Sequence, residues 1–331
     1  MASSNQITIC VHVDDLLMIC IDRKVTNSEI EKLEEIFGSL SVSYGKMQNY
    51  LGMVFDFTTE GTVAIEMKNY IEDLLEHTET KTSAPTPAEM KLFDVNCKNE
   101  LLSDVERAKF HTVVAKLLYL AKRARPDILL ATSYLTTRVT RATEGDLEKL
   151  SMCLEYLKGS KDITLRLNGR DYDTVTVYVD ASYGTLADRK PHTGTVLNSG
   201  RAFICEYSRK QRINTKSSCE AEPDGVSDGV NPAIGVMNFM INQGYEARPV
   251  TLMQDNKSTI KMIESGKSNS ERSRHIDIRF YFVNDRVKNG DVRVEYLRTE
   301  DDSRYVYETN PRTDIKIFGR QVDGGQVKCR D

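Results

Sequence analysis

The residues whose types and spacing could carry chemistry in this chain are carboxylates. Asp14 and Asp15 sit between two apolar runs, Ile9 to Val13 and Leu16 to Ile21. Both runs are rich in β-branched residues and read as the strands of a hairpin, with the acidic pair as its tight turn. Two adjacent carboxylates at the tip of an apolar hairpin repel each other unless a positive charge lies there. A divalent metal held by oxygen ligands is the natural candidate. A second series lies in the other half of the chain. Asp180 ends the run Val-Tyr-Val-Asp-Ala-Ser, Asp255 ends Thr-Leu-Met-Gln-Asp-Asn, and Glu220 and Glu222 lie between them in Ser-Ser-Cys-Glu-Ala-Glu. An isolated aspartate where a strand stops is most often a turn or cap residue. Several at the ends of strands in one mixed sheet can converge, and three or four converging carboxylates bind two magnesium ions about 3.5–4 Å apart. Such a pair activates water and stabilises the leaving oxygen in phosphodiester cleavage.

The elements that must position these groups follow from periodicity. Val175, Val177 and Val179 alternate with Thr174, Thr176 and Tyr178 and lead directly into Asp180. Gly194 to Leu197 and Ala202 to Tyr207 read as the next strands of a meander, and Val250 to Met253 as the strand that delivers Asp255. Ser217 to Gly244 reads as a poorly formed helical stretch, because Pro223, Gly225, Gly229, Pro232 and Gly235 all weaken it. Helices are expected at Ser258 to Glu264 and Arg274 to Val287, with a last strand at Val292 to Leu297. Four or five strands interleaved with helices make an α/β layer.

Upstream, Ser28 to Phe37 reads as a helix opened by a Ser28–Glu31 capping box and ended at Gly38. Extended pieces over Val42 to Phe57, a strand at Val63 to Glu66 and a helix at Tyr70 to His77 follow. Lys81 to Ala88, with Pro85 and Pro87, reads as a linker. A helical block comes next. Ser103 and Glu106 form a capping box for the first helix, Pro126 opens the second, and the third is capped by Thr143 and ends at Gly159. Lys122, Arg123, Arg125, Arg138 and Arg141 place five positive charges within twenty residues. They read either as solvated helix faces or as phosphate contacts.

Composition bounds the rest. With 331 residues, 40% hydrophobic and 28% charged, the chain has the make-up of soluble globular material in two or three domains. A net charge of −4 gives no global basic field, so nucleic acid would have to be held by local patches. The seven cysteines are odd in number and scattered, with no Cys-x-x-Cys pair. That points to reduced, intracellular thiols rather than a zinc site or disulfide framework. No apolar run is long enough to span a membrane and no signal peptide precedes the first strand, so a cytoplasmic or nuclear chain without a membrane partner is expected.

Taken in order, the motifs resemble the C-terminal part of a copia-type LTR retrotransposon Pol polyprotein, from late in the reverse transcriptase palm through ribonuclease H. The opening hairpin resembles the polymerase Tyr-x-Asp-Asp motif, and Tyr50-Leu51-Gly52-Met53 the primer-grip region. Leu118-Tyr119-Leu120 with Arg125-Pro126-Asp127-Ile128 resembles the connection helices. Val177 to Ser182, Ser217 to Glu222, Gln254-Asp255-Asn256 and Ser273-Arg274-His275-Ile276-Asp277 resemble the ribonuclease H segments. The resemblance covers residues 7 to 300 or so and implies an α/β (α+β) organisation. Residues 1–80 would be a palm remnant, 81–170 a helical thumb and connection, and 171–300 a ribonuclease H-like mixed sheet with helices. Residues 301–331 would be a tail outside the family.

The resemblance implies that Asp180, Glu222 and Asp255 are catalytic metal ligands for a two-metal Mg2+ site. Glu220 is the alternative to Glu222, and Asp277 or an Ala-Asp segment after the last strand is the fourth carboxylate. Asp14 and Asp15 would be the polymerase metal pair, and His275 an auxiliary polar group or a cap. The implied partner is an RNA–DNA hybrid or template–primer, with Lys122, Arg123, Arg125, Arg138 and Arg141 on its phosphates. The sequence departs from the family at four places. His12 replaces the expected Tyr. The third polymerase Asp and the fingers, which the family carries upstream, are not in this sequence, so polymerase activity from these residues alone is not expected. Pro223 follows Glu222 directly. After Asp301 the chain reads Ser303-Arg304-Tyr305-Val306-Tyr307-Glu308-Thr309. One codon choice for that stretch, read one base later, encodes Ala-Asp-Met-Tyr-Met-Lys-Pro, so a frameshift near residue 302 is expected. Two outcomes follow: a weak ribonuclease H, or a silent remnant that binds nucleic acid weakly.

Overall fold

A computed structural model of the chain describes residues 6–89, 91–94, 100–182, 191–211, 218–246, 248–266 and 274–297. At 182, 218–221, 223–224 and 274–280 it describes the backbone alone. Among the described residues the strands form three sheets. The first is the hairpin of β1 (Ile7–His12) and β2 (Asp15–Cys20), with His12 opposite Asp15. The turn is therefore Val13 and Asp14 rather than the acidic pair. Val13 has φ 51°, a left-handed conformation that a β-branched residue adopts at a cost of about 1–2 kcal/mol. Val11, Val13, Ile19 and Ile21 are exposed, so the hairpin buries little of its apolar surface. Helix α1 (Arg23–Phe37) starts earlier than Ser28, because the Asp22 side chain caps it by accepting from the Lys24 N–H.

The second sheet runs β3 (Met47–Tyr50), β4 (Met53–Asp56), β5 (Thr62–Glu66), β6 (Leu165–Asn168), antiparallel throughout. Between β5 and β6 the chain makes α2 (Lys68–His77), α3 (Asp104–Ala121), a 3-10 turn (Pro126–Ile128), α4 (Leu129–Thr136) and α5 (Glu144–Gly159). Ser103 with Glu106 and Thr143 with Asp146 form capping boxes at α3 and α5. One core joins Ile65, Leu74, Phe110, Leu117, Leu135, Leu157 and Leu165. The division expected at residue 80 is thus not a break in packing, since β6 pairs with β5 across it. Nor is 81–88 a free linker: Thr86 and Ala88 are buried.

The third sheet has the order β11 (Val292–Tyr296), β10 (Val250–Gln254), β7 (Val175–Ser182), β8 (His192–Ser199), β9 (Ala202–Lys210). β7, β8 and β9 are antiparallel neighbours, while β10 runs parallel to both β7 and β11. Helix α6 (Ser218–Asn242) packs Val226, Val230, Ala233 and Met237 against Val177, Val179, Leu197 and Leu252. α7 (Lys257–Ser265) and α8 (Arg274–Lys288) complete a mixed α/β layer.

The expectation of a poorly formed helix over 217–244 is corrected: α6 is continuous for 25 residues. Position 223 falls in its second turn, where a proline forfeits one backbone hydrogen bond without ending the helix. Two of the glycines that argued against a helix are close-approach positions. A Cβ at Gly229 would lie 2.7 Å from Val179 Cγ2, and one at Gly225 2.8 Å from Thr193 Cγ2.

Candidate metal centre

Alternation along β7 sends Val177 and Val179 into the core and brings Asp180 near the strand's end. The parallel register of β7 and β10 pairs Met253 with Tyr178, so two residues further on Asp255 comes level with Asp180 on the neighbouring strand. Glu222 arrives from the early turns of α6. One carboxylate oxygen from each of Asp180, Glu222 and Asp255 lies within 4.8 Å of the other two. Glu222 is buried, and the two aspartates are half-buried. Its carboxyl is pushed up to about 9, first by burial, then by the charge of Asp180 and then by that of Asp255. Three hard oxygen donors that repel one another suit a hard divalent cation.

Gln254 is a positioning residue that sequence reasoning missed. It is fully buried; its Nε2 donates to Glu222 Oε2 at 3.3 Å, and its Oε1 accepts from the Asn256 N–H at 2.9 Å. Asn256 Oδ1 in turn caps α7 by accepting from the Ser258 and Thr259 N–H groups. The Gln-Asp-Asn motif therefore fixes Asp255 between two groups committed to the local backbone. A polar side chain closing an apolar strand was the available signal.

The other candidate residues fall elsewhere. Asp14 and Asp15 are not part of this cluster. The side chains of Glu220, His275 and Asp277 lie outside the described residues, as does the whole tail 301–331. The basic run splits. Lys122 and Arg141 are exposed, and the Arg123 guanidinium lies 3.5 Å from the Tyr119 ring centroid. Arg125 and Arg138 are corrected from phosphate contacts to core residues. Arg125 grips Asp127 with Nε at 2.9 Å and Nη2 at 2.7 Å, and also donates to the backbone and hydroxyl oxygens of Ser160. Arg138 Nε donates to Asp146, which also accepts from the Thr143 N–H and hydroxyl. Both guanidiniums are buried, so neither reaches a phosphate.

No family model matches the chain. It is 26% identical over 296 residues to the retrovirus-related Pol polyprotein from transposon RE1 of Arabidopsis thaliana, covering 88% of this chain and 20% of the polyprotein. It is 26% identical over 226 residues to a putative transposon Ty5-1 protein of Saccharomyces cerevisiae, covering 66% of this chain and 71% of that protein. The chain thus spans about a fifth of the RE1 polyprotein. Among solved structures, a foamy viral protease-reverse transcriptase in complex with an RNA/DNA hybrid aligns with a TM-score of 0.51 at 12% identity. The alignment covers 93% of this chain and 38% of that one, a likeness of fold. The chain is a homologue of the Pol polyproteins of copia-type retrotransposons.

Proposed function

We infer that the chain is a ribonuclease H-bearing part of such a polyprotein and cleaves the RNA strand of an RNA–DNA hybrid. The observation that carries this is the convergence of Asp180, Glu222 and Asp255 at the ends of adjacent elements. These three residues would hold magnesium, which when bound supplies Lewis acidity and a water of lowered pKa. Glu222, holding its proton in the absence of counter-charge, must release it to become a ligand. Gln254 keeps that carboxyl aimed at the aspartates. The half-exposed Asp180 and Asp255 leave the cluster open to a phosphodiester. A hybrid would be selected by its shape and 2′-hydroxyls rather than its base sequence.

The test is cleavage of a labelled hybrid by the full chain in magnesium. Asp180→Asn is expected to lower the rate by about 10²-fold or more, because it removes one anionic oxygen from the donor set. A folded, unaltered chain that leaves the hybrid intact overturns the reading.

A further inference from the structure

Two cations from distant parts of the chain each lie against one ring. Lys122, just past the end of α3, places Nζ 5.0 Å from the centroid of the Tyr207 ring, and Arg209 places Cζ 4.6 Å from the same centroid. Lys122 Nζ also donates to the Glu206 carbonyl oxygen at 3.4 Å, on β9, the edge strand of its sheet. Among the described residues neither cation is in a salt bridge, although the Glu206 carboxyl lies within electrostatic reach of Lys122. Cation–π contact at an exposed site contributes only about 0.5–1 kcal/mol and does not neutralise either charge. Although Lys122 as a whole is exposed, its ammonium end is held below the usual range first by partial burial and then by the charge of Arg209, against the opposing charges of Cys205 and Glu206. An anion beside them would reverse that repulsion.

The surroundings are shaped as well as charged. Tyr207 and Arg209 share a strand face and line a cavity of ≈ 290 Å³ with Thr193, Thr195, Asn231 and the exposed Asp228. Cross-strand register ties this cavity to the carboxylate centre. Arg209 is opposite Thr193, and Thr193 is opposite Ala181, all on the α6-covered face of the sheet and one residue from Asp180, which projects from the other face. Two strand spacings put the Arg209 backbone about 10 Å from that of Ala181.

We propose that Lys122, Tyr207 and Arg209 form a seat for one backbone phosphate of the hybrid, bridging the helical unit and the five-stranded sheet. The proposal rests on the ribonuclease H reading for its choice of ligand, but its test does not need cleavage. Binding of the full chain to a fluorescent RNA–DNA hybrid is followed by anisotropy in EDTA, across a salt series. Lys122→Gln and Arg209→Gln should each weaken binding by about 3–10-fold and flatten the log–log salt slope by about one. Lys122→Arg should restore both. Lys32→Gln, in a residue paired with Glu29 on α1, should change neither. Replacing single backbone phosphates by neutral methylphosphonates should reveal a position that costs the unaltered chain affinity and costs the Lys122→Gln/Arg209→Gln chain nothing.

Unchanged salt slopes, identical methylphosphonate profiles, or no hybrid binding by the unaltered chain overturn the seat. A chain that binds with the expected slopes yet never cleaves in magnesium removes the ribonuclease reading and leaves the seat standing.

Discussion

Both ends of the Gln254 amide are committed, one to Glu222 and one to the Asn256 backbone, in a site with no solvent exposure. Gln254→Ala should therefore remove one of the hydrogen bonds that orient Glu222, leaving the one from the Ala181 backbone. Loss of such a supporting hydrogen bond typically costs about 10–100-fold in metal affinity. Titration of Mn2+ or Mg2+ by calorimetry should show that loss, and an unchanged affinity would mean Gln254 serves packing alone. At this scale the sequence was informative where a strand pattern points at its own end. Asp180 and Asp255 each close an alternating or apolar run, and their side chains meet. Arg125 and Arg138 were not legible in the same way. Their partners, Asp127 and Asp146, stand two and eight residues on, spacings that match no helical ion-pair rule. A basic residue without a visible partner reads as surface, and here the partners are brought by a 3-10 turn and a capping box.

Helix α6 shows why element-level propensity misleads when packing decides. Gly225 and Gly229 cost helix stability locally, yet they let α6 approach β7 and β8 closely enough to carry Glu222 to the aspartates. Gly229→Ala would put a Cβ 2.7 Å from Val179 Cγ2 and 3.0 Å from Thr195 Cγ2. Despite alanine's better helix propensity it should destabilise the fold by about 1–3 kcal/mol. Gly235, on the same helix, has nothing within 4 Å of its would-be Cβ. Gly235→Ala should stabilise by up to about 1 kcal/mol. Urea unfolding of the two variants distinguishes them, and effects of the same sign would refute the close-approach account. Sequence alone counts both glycines as breakers, because the neighbour that justifies the first belongs to a strand some fifty residues away. The capping boxes at Ser103 and Thr143 were legible because every atom in them is local.

Among the described residues the buried side chains gather in two large cores and a small third cluster, and neither their join nor its partners could be read from local pattern. β6 returns to pair with β5 across about a hundred residues, and Phe203 packs against both the helical core and the sheet. At the seam the His192 ring sits 5.7 Å from the Phe93 ring, with Nε2 2.7 Å from the Ser208 hydroxyl. Burial lowers the imidazole pKa to about 4. Further along β9, the half-buried Glu206 carboxyl is pushed up to about 8, first by burial and then by the charge of Asp127. The two groups act in opposite directions. Between pH 6.5 and 4 the unfolded chain binds a proton at His192 that the folded chain refuses. That contribution to stability is lost as pH falls, to a total of about 3 kcal/mol. Between pH 4.5 and 8 the folded chain keeps a proton on Glu206 that the unfolded chain releases, so that contribution is lost as pH rises. Urea unfolding at pH 4.5, 6.5 and 8.5 separates them. His192→Gln should shrink the drop between pH 6.5 and 4.5 relative to the unaltered chain. Glu206→Gln should shrink the drop between pH 6.5 and 8.5. If both variants track the unaltered chain at all three pH values, neither His192 nor Glu206 binds protons differently in the folded and unfolded chain.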